Sequence, residues 1–376
     1  MSLIVDEHRE YLKDGVRLDA FRAAIHRKVK PGDVVVDLGS GTGVLGLLAC
    51  QAGASRVYAI EASAMIDVAR RIAAASGFAD RIVYLNLYST LASLPEQADG
   101  LVMDQIGHFG FEAGLFEFTA DARRFLKPDA WTIPESLNLC VAPVSDPDVR
   151  ARVDFWSEPL HGLDVSPARE WAVNTGYPRH LEPSQLLGSA TTIARIPAAE
   201  MSAGRLNLSA VLRIERQGTL DAIGGWFAAA LAPGVELTNA PGAPSRLTRR
   251  NVVLPLERAI RVSPGDRVDM RLQVLPTDLV VAWRGTVTTA QERVTFAHST
   301  LGGMLLTREG LRRLRPDSAP KLTERGKARL SVLELCDGAR PLAEIEREVL
   351  ARHPSIFRSP SEASVFVTEV ISRYSE

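Results

Sequence analysis

Residues 34–61 read VVVDLGSGTGVLGLLACQAGASRVYAIE, and this stretch decides the fold. The apolar run Val34–Leu38 is typical of a strand buried on both faces of a parallel sheet. Three glycines then alternate with small polar residues: Gly39, Gly41 and Gly43. Because glycine lacks a side chain, such a loop lets backbone amides approach a ligand closely. An apolar helix, Val44–Cys50, and a second strand, Arg56–Ile60, complete a predicted β-α-β unit.

Two carboxylates frame this loop. Asp37 precedes the first glycine, and Glu61 ends the second strand, where one carboxylate can accept hydrogen bonds from two ribose hydroxyls. The spacing is G-x-G-x-G rather than the G-x-G-x-x-G of dinucleotide-binding proteins. This combination resembles the S-adenosylmethionine (SAM) site of class I methyltransferases. The alternative is an ordinary β-α-β unit without that ligand.

The composition is typical of a cytosolic enzyme. Lys+Arg 44 against Asp+Glu 45 gives a net charge of −1, so no overall field attracts nucleic acid or a membrane surface. The N-terminus lacks a basic segment followed by an apolar core, and no 18-residue apolar run occurs. The cysteines are too few and too scattered for a disulfide or zinc framework: Cys50, Cys140 and Cys336. We therefore expect a cytoplasmic protein that binds neither nucleic acid nor membrane, and that holds no metal.

The chain changes character twice along its length. Residues 1–137 alternate helical and strand patterns, which predicts a doubly wound, Rossmann-like α/β domain around a parallel sheet. Residues 138–304 contain short β-rich segments separated by Pro/Gly/Asn turns, which predicts an antiparallel β-barrel or sandwich for substrate binding and dimerisation. Residues 305–376 are helical again and include a basic segment, residues 308–330.

Several segments over about residues 6–290 resemble protein arginine methyltransferases in order and spacing. They are His8 with Tyr11–Arg17 ahead of the glycine loop, Arg124–Trp131, Phe155–Asp164 and Asp221–Phe227. The last two resemble the start of that family's dimerisation arm and a strand of its barrel. The resemblance implies methyl transfer from SAM and a head-to-tail homodimer. The family's N-terminal lid helix is expected to be missing, because only a few residues precede His8.

The resemblance also assigns cofactor-binding roles beside the three loop glycines. Glu61 should accept both ribose hydroxyls, and Arg17 should grip the carboxylate of SAM through its forked guanidinium. Asp37 should lie near the methionine amine. The milder alternatives are that Arg17 is a surface helix residue and that Asp37 bonds the loop backbone. The family's adenine-binding glutamate aligns with Thr90 or Ser89, which puts that contact in doubt.

The acceptor loop departs from the family. Arginine methyltransferases place two glutamates on a loop after the fourth strand, and here that loop reads DQIGHFGFE from Asp104 to Glu112. Asp104 and Glu112 are the candidates, although aspartate is one methylene shorter than glutamate. The family's threonine-histidine-tryptophan element aligns with Leu247–Arg249, followed by Arg250. Its histidine and its tryptophan are therefore absent.

Two interpretations of the acceptor site follow. In the first, Asp104 and Glu112 clamp a cationic nitrogen acceptor such as a guanidinium. In the second, Arg249 or Arg250 anchors an anionic acceptor such as a peptide carboxylate, and His108 or Glu112 manages a proton. A milder alternative is that His108 packs against SAM as a loop residue.

The C-terminal sequence suggests a peptide substrate. Ser331–Ile345 carries a helix, a turn and the start of a second helix, and a last helix is expected from about Ser361. This text resembles PqqD-like domains, also called RiPP recognition elements, which are winged-helix modules that bind the leader of a ribosomally made precursor peptide. The alternative is a helical cap joined by a solvated linker.

The leading hypothesis is therefore SAM-dependent methylation of a ribosomal precursor peptide captured by residues 305–376. Three other functions stay open at this point. They are a general protein arginine N-methyltransferase, a catalytically inactive homologue that binds peptide, and a small-molecule methyltransferase.

Overall fold

The computed structural model describes residues 4–305, 312, 317–357 and 359–375. It divides into two compact units, Met1–Met304 and Leu305–Glu376. The larger unit contains a parallel sheet with its helices and an antiparallel part; the smaller unit is helical where it is described.

The parallel sheet comes first along the chain. Its strands are β1 (Val34–Leu38), β2 (Arg56–Ile60), β3 (Ile82–Leu85), β4 (Ala98–Met103) and β5 (Leu126–Ile133). The accompanying helices are α1 (Ile4–Lys13), α2 (Gly15–Lys28), α3 (Val44–Ala52), α4 (Met65–Ala75) and α5 (Leu115–Ala122). Every pairing is parallel, in the order β3-β2-β1-β4-β5, and β1 is buried along its whole length. The predicted Rossmann-like sheet is confirmed.

This strand order places the two loops of interest side by side. The chain runs outward from β1 to β2 and β3, then returns to β4 on the other side of β1. The order reverses between β1 and β4, and ligands of open α/β sheets bind outside the carboxyl ends of the strands at such a point. The glycine loop follows β1 and the acceptor loop follows β4, so both open onto this crevice.

The segment that carries His8 and Tyr11 forms a helix ahead of the glycine loop. Residues 4–13 form α1, with Asp6 and Glu7 in its first turn and Lys13 in its last. These charges complement the helix dipole, which favours acidic residues at the start and basic residues at the end. His8 and Tyr11 of α1 line the cavity described below. Because α1 contains His8 itself, the expectation that a lid helix ahead of His8 is missing stays a prediction.

The rest of the larger unit is antiparallel. Its strands are β6 (Ser136–Val144), β7 (Tyr177–Arg179), β8 (Thr191–Pro197), β9 (Leu206–Arg213), β10 (Gly218–Ala232), β11 (Val235–Thr238), β12 (Asn251–Val262), β13 (Arg267–Leu275), β14 (Val280–Thr288) and β15 (Arg293–Ser299). Two helices, α6 (Pro147–Asp154) and α7 (Arg169–Val173), lie between β6 and β7. Short 3-10 helices cover residues 79–81, 89–91, 123–125, 155–157, 166–168, 183–185 and 198–200.

These strands form two antiparallel sheets that share one hydrophobic core. One sheet has the order β7-β12-β10-β6-β8 with β11 beside β10, and the other has the order β15-β14-β13-β9. Trp283 of β14 is fully buried, and its indole N–H donates to the carbonyl of Pro255 in β12 at 2.9 Å. This hydrogen bond joins the two sheets through the core. The predicted antiparallel architecture is thus present as two packed sheets.

The smaller unit is held by its own core. Its helices are α8 (Glu324–Leu335), α9 (Leu342–Arg352) and α10 (Pro360–Tyr374), close to the predicted positions. They pack through fully buried side chains such as Val332, Val349 and Val367. Within residues 317–357 and 359–375 there is no strand, so the winged-helix arrangement is not confirmed. Residues 308–311 and 313–316 of the basic segment lie outside the described residues.

Replacing Trp283 with Phe is expected to destabilise the larger unit by about 2–4 kcal/mol. The change leaves the buried Pro255 carbonyl without its donor and opens space in the shared core. Val211→Thr is the control, because Val211 of β9 is 53% exposed and should shift stability by less than about 0.5 kcal/mol. Urea unfolding followed by circular dichroism measures both. Equal shifts for the two variants would contradict this role of Trp283.

Candidate active site

A cavity of about 730 Å³ opens at the carboxyl edge of the parallel sheet. The glycine loop, the end of β2, the acceptor loop, α1 and residues 248–250 all contribute to its wall. The sequence-predicted site residues that line it are Arg17, Gly39, Gly41, Glu61, Asp104, His108, Glu112, Arg249 and Arg250. Asp37 and Gly43 lie behind this lining, at the base of the glycine loop. The structure thus brings the predicted cofactor and acceptor residues to one cavity.

The glycine loop has a backbone that only glycine adopts easily. Gly39, Gly41 and Gly43 have φ values of 67°, 53° and 75°. A Cβ atom on Gly39 would lie 1.9 Å from the side-chain Nε2 of Gln105. A Cβ atom on Gly41 would lie 2.6 Å from His8 Cε1. The loop is therefore close to both the acceptor loop and α1. Any larger residue would push these two neighbours out of the cavity wall.

Glu61 sits at the tip of β2 with acceptor capacity to spare. The Gly41 N–H donates to its Oε2 at 2.9 Å, and the Ser63 N–H donates to its Oε1 at 2.8 Å. These two bonds fix the carboxylate plane toward the glycine loop. Each carboxylate oxygen can accept a second hydrogen bond. The arrangement fits a ligand that presents two adjacent hydroxyl groups.

Polar atoms without partners surround the same loop. The hydroxyl oxygens of Ser40 and Ser89 and Oδ1 of Asp37 are buried and have no hydrogen-bond partner among the described residues. A buried polar group that lacks a partner costs free energy, so a polar ligand that pairs with such groups binds favourably. Ser40 and Ser89 line the cavity, whereas Thr90 does not.

Asp37 supports the loop from beneath. Its Oδ2 accepts the N–H of Gly46 in α3 at 2.8 Å, which fixes the start of that helix against β1. The side chain is 1% exposed, and burial raises its pKa to about 7. Asp37 therefore contacts backbone of α3 rather than the cavity surface.

Asp104 is held between two arginines. Its carboxylate accepts a hydrogen bond from Arg17 Nε and lies 3.4 Å from the Arg249 guanidinium. Arg249 also donates to the Ile106 carbonyl at 2.6 Å. The side chains are 9%, 8% and 12% exposed for Arg17, Asp104 and Arg249. The charge of Asp104 is thus compensated inside the cavity wall, and Arg17 is buried rather than on the surface.

Glu112 is bound by the loop that carries it. Both of its oxygens accept the Phe109 N–H, at 2.8 and 2.9 Å. Burial outweighs these bonds and raises the Glu112 pKa to about 7. Near neutral pH this carboxyl group is therefore divided between its protonated and ionised forms.

His108 contributes a neutral imidazole. Its Nδ1 is buried without a partner among the described residues, and burial lowers its pKa with help from Arg249 and Arg250. Two positive neighbours and little water disfavour the charged ring. A neutral ring can accept a proton or a hydrogen bond.

A buried asparagine joins the acceptor loop to the segment that carries Arg249 and Arg250, and no local sequence pattern predicts it. The Asn239 amide donates to the carbonyls of His108 and Arg250, each at 2.7 Å, and its oxygen accepts the Phe227 N–H at 3.0 Å. Asn251 in turn donates to the Asn239 carbonyl at 2.7 Å. In the sequence, Asn239 marks only the start of a Pro/Gly turn, and that signal predicts a surface loop.

Two other kinds of site are not found in the described part of the chain. No group of three or more His, Cys, Asp or Glu side chains there could hold a metal ion. No helix among those residues has both the length and the apolar character needed to cross a membrane.

Comparison with known proteins finds similarity to methyltransferases. The family model for ribosomal protein L11 methyltransferase (PrmA) matches residues 22–135. Protein arginine N-methyltransferase 6 of Xenopus laevis is 35% identical over 173 residues, which is 45% of this chain and 51% of that protein. The probable protein arginine N-methyltransferase 6 of Arabidopsis thaliana is 27% identical over 292 residues, covering 73% of this chain and 63% of that protein.

Solved structures give the same fold. The PRMT1 enzyme–prozyme heterotetramer of Trypanosoma brucei, determined with AdoHcy, superposes with a TM-score of 0.72 at 23% identity. It covers 78% of this chain and 96% of its own. The open conformation of Arabidopsis thaliana protein arginine methyltransferase 10 gives a TM-score of 0.67, also at 23% identity, and covers 78% and 97%. At this identity the match establishes the fold.

This chain is thus similar to protein arginine methyltransferases in part of its sequence and in its fold. The chain spans about half the length of the Xenopus relative. None of these matches tests the PqqD-like interpretation of the C-terminal sequence.

Glu112→Gln is expected to reduce the dependence of stability on pH. Since the folded-state pKa of about 7 exceeds the ordinary 4.5, the folded protein binds more protons than the unfolded chain between these values. The free energy of unfolding therefore falls as pH rises from about 4.5 to 7. The glutamine variant should lack this contribution, whereas the similar one from Asp37 should persist.

Urea unfolding at several pH values across this window measures the effect. Glu236→Gln is the matched control, because Glu236 is an exposed glutamate in β11 and should leave the pH profile unchanged. A Glu112→Gln profile as steep as that of the unmodified protein would contradict a raised pKa at Glu112.

Proposed function

We propose that this protein is a SAM-dependent methyltransferase that modifies an arginine side chain of a peptide or protein. The observation that carries the proposal is the single cavity shared by the glycine loop and by Asp104, His108 and Glu112. A methyl donor bound on the loop would face the acceptor residues directly. The named relatives are arginine methyltransferases, which favours arginine as the acceptor.

The residues present fit SAM as the cofactor. Glu61 has free acceptor positions for both ribose hydroxyls, and Arg17 can grip a carboxylate with its forked guanidinium. Ser89 offers an unpartnered hydroxyl where the family resemblance places the adenine amine. Ser40 offers a second one on the glycine loop. When bound, SAM supplies an activated methyl group on a sulfonium centre.

The acceptor residues would position and deprotonate the arginine. The carboxylates of Asp104 and Glu112 can accept N–H groups of a guanidinium and leave one nitrogen directed at the glycine loop. If Arg17 turns to the cofactor's carboxylate, Asp104 loses one of its two arginine partners and gains capacity for a cation. Glu112, with a pKa of about 7, is able to take a proton near neutral pH, whereas the lowered pKa of His108 keeps its ring neutral as a hydrogen-bond acceptor.

A carboxylate acceptor is the second candidate, and the charges of the cavity favour it. Asp104 is compensated by two arginines, and Glu112 is bound to its own loop. Arg250 is exposed at the cavity and has no ion pair or side-chain hydrogen bond among the described residues. Such a guanidinium can anchor a peptide carboxylate, which is already a nucleophile and needs no base.

The substrate and the assembly form a further part of the proposal. A ribosomal precursor peptide bound by the C-terminal unit would raise the concentration of its core at the cavity. A homodimer is supported by exposed apolar side chains on the predicted arm, namely Phe155, Leu163 and Trp171. It is also supported by the heterotetramer formed by the Trypanosoma brucei relative.

Analysis of the methylated product tests the proposal and separates its two acceptors. The full-length protein is incubated with methyl-labelled SAM and an Arg/Gly-rich peptide that contains one glutamate. An arginine acceptor gives label that survives mild base and disappears when arginine is replaced by lysine. A carboxylate acceptor gives label that mild base releases as methanol. No label with either version of the peptide would contradict the proposed activity.

The same assay examines the C-terminal unit. Val332→Asp places a charge in the core of that unit within the full-length chain, and Leu333→Asp is the control because Leu333 is 39% exposed. The substrates are a precursor peptide with its leader, called the long peptide, and the same peptide without its leader, called the core peptide. Capture of the leader by this unit predicts that Val332→Asp slows modification of the long peptide and leaves modification of the core peptide unchanged. Equal rates for the long peptide in all three proteins would contradict capture.

A further inference from the structure

A second, basic groove adjoins the cavity. It has a volume of about 370 Å³ and is lined by Arg152, Tyr177, Pro178, Arg179, His180 and Arg250. Arg250 lines the groove and the first cavity alike, so the two spaces meet at its side chain.

The fold assembles this groove from three distant segments. Strand β7 pairs antiparallel with β12, with Arg179 opposite Asn251. His180 and Arg250 adjoin this pair just outside the two strands, and the charge of Arg250 acts on His180. Arg152 comes from the last turn of α6. The Tyr177 hydroxyl donates to the Ala172 carbonyl at 2.9 Å and so fixes the groove wall against α7.

The positive charges of the groove are unequally compensated. Arg179 is paired with Asp146, which is 1% exposed, and with Asp148. Arg152 and Arg250 are exposed and have no ion pair among the described residues. Burial and the neighbouring Arg246 and Arg250 lower the pKa of His180, as expected in a positive field.

We propose that this groove binds an acidic side chain of the substrate, next to the residue that is methylated. The inference rests on the proposed function and specifies the substrate class: a peptide with a carboxylate or phosphate group beside its acceptor. Arg179 is held rigid by its two aspartates and gives the groove a fixed wall. Arg152 and Arg250 supply guanidinium groups that are free to fork onto an anion.

The affinities of matched peptides test this assignment. The probes are fluorescent acceptor peptides that differ only in the flanking residue, which is glutamate, glutamine or phosphoserine. Binding to the full-length protein is measured by fluorescence anisotropy with S-adenosylhomocysteine present, so the readout does not require methyl transfer. The variant is Arg152→Gln, because Arg152 lines the groove and not the cavity. Arg271→Gln is the control, since Arg271 is an exposed arginine of β13.

The expected result is tighter binding of the glutamate peptide than of the glutamine peptide. Arg152→Gln should weaken the glutamate peptide about fivefold and leave the glutamine peptide unchanged, as a partly exposed ion pair implies. Raising salt to about 1 M should abolish the difference, because the screening length then falls to about 3 Å. A preference for phosphoserine over glutamate would identify phosphate as the natural anion.

Equal affinity of the glutamate and glutamine peptides, or equal weakening of both by Arg152→Gln, would overturn the inference. Failure of the proposed function is distinguishable from either result. It would appear as selective anion binding without methylation of any peptide.

Discussion

The cavity wall formed by the acceptor loop and residues 248–250 depends on one buried side chain, that of Asn239. Asn239 joins the acceptor loop, the segment that carries Arg249 and Arg250, and the central strand β10 by hydrogen bonds to His108, Arg250 and Phe227. All three bonds go to backbone groups, so the amide fixes the course of the chain and leaves the side chains free to face the cavity. Asn239 is fully buried, where each of these bonds replaces water that cannot enter. The antiparallel part therefore forms one side of the site, and Asn239 joins it to the acceptor loop that follows the parallel strand β4.

The charges of the cavity are balanced by residues from several elements of the fold rather than by one ion pair. Asp104 lies between Arg17 of α2 and Arg249 of the antiparallel part, while Glu112 is neutralised in part by burial. A ligand with a carboxylate would compete with Asp104 for Arg17, and a cationic acceptor would compete with Arg249 for Asp104. A ligand carboxylate that takes Arg17 leaves Asp104 paired with Arg249, whereas a cationic acceptor that takes Asp104 leaves Arg249 with the Ile106 carbonyl. Binding of the methyl donor and of the acceptor would thus be coupled through the same carboxylate.

The local features of the sequence predicted the parallel sheet well. The apolar run before Gly39, the glycine spacing and the carboxylate at Glu61 follow from short-range rules of strand, loop and ligand geometry, and the structure places them together. The acceptor network could not be predicted in this way. Asn239 and His108 are 131 positions apart, and the Arg17–Asp104 contact spans 87 positions. Such contacts arise only after the sheets have packed, and no local pattern encodes them.

Direct titration with S-adenosylhomocysteine tests the central claim, which is that the glycine loop and Glu61 hold the methyl donor. Isothermal titration calorimetry should show saturable binding to the full-length protein. Glu61→Gln should weaken that binding about 10- to 100-fold, because one charged acceptor of the two ribose hydroxyls is lost while the bond from the Gly41 N–H can persist. Glu236→Gln is the control, because Glu236 is exposed in β11; this variant should bind S-adenosylhomocysteine as tightly as the unmodified protein does. No binding at all, or equal affinities for the Glu61 variant and the unmodified protein, would contradict the account.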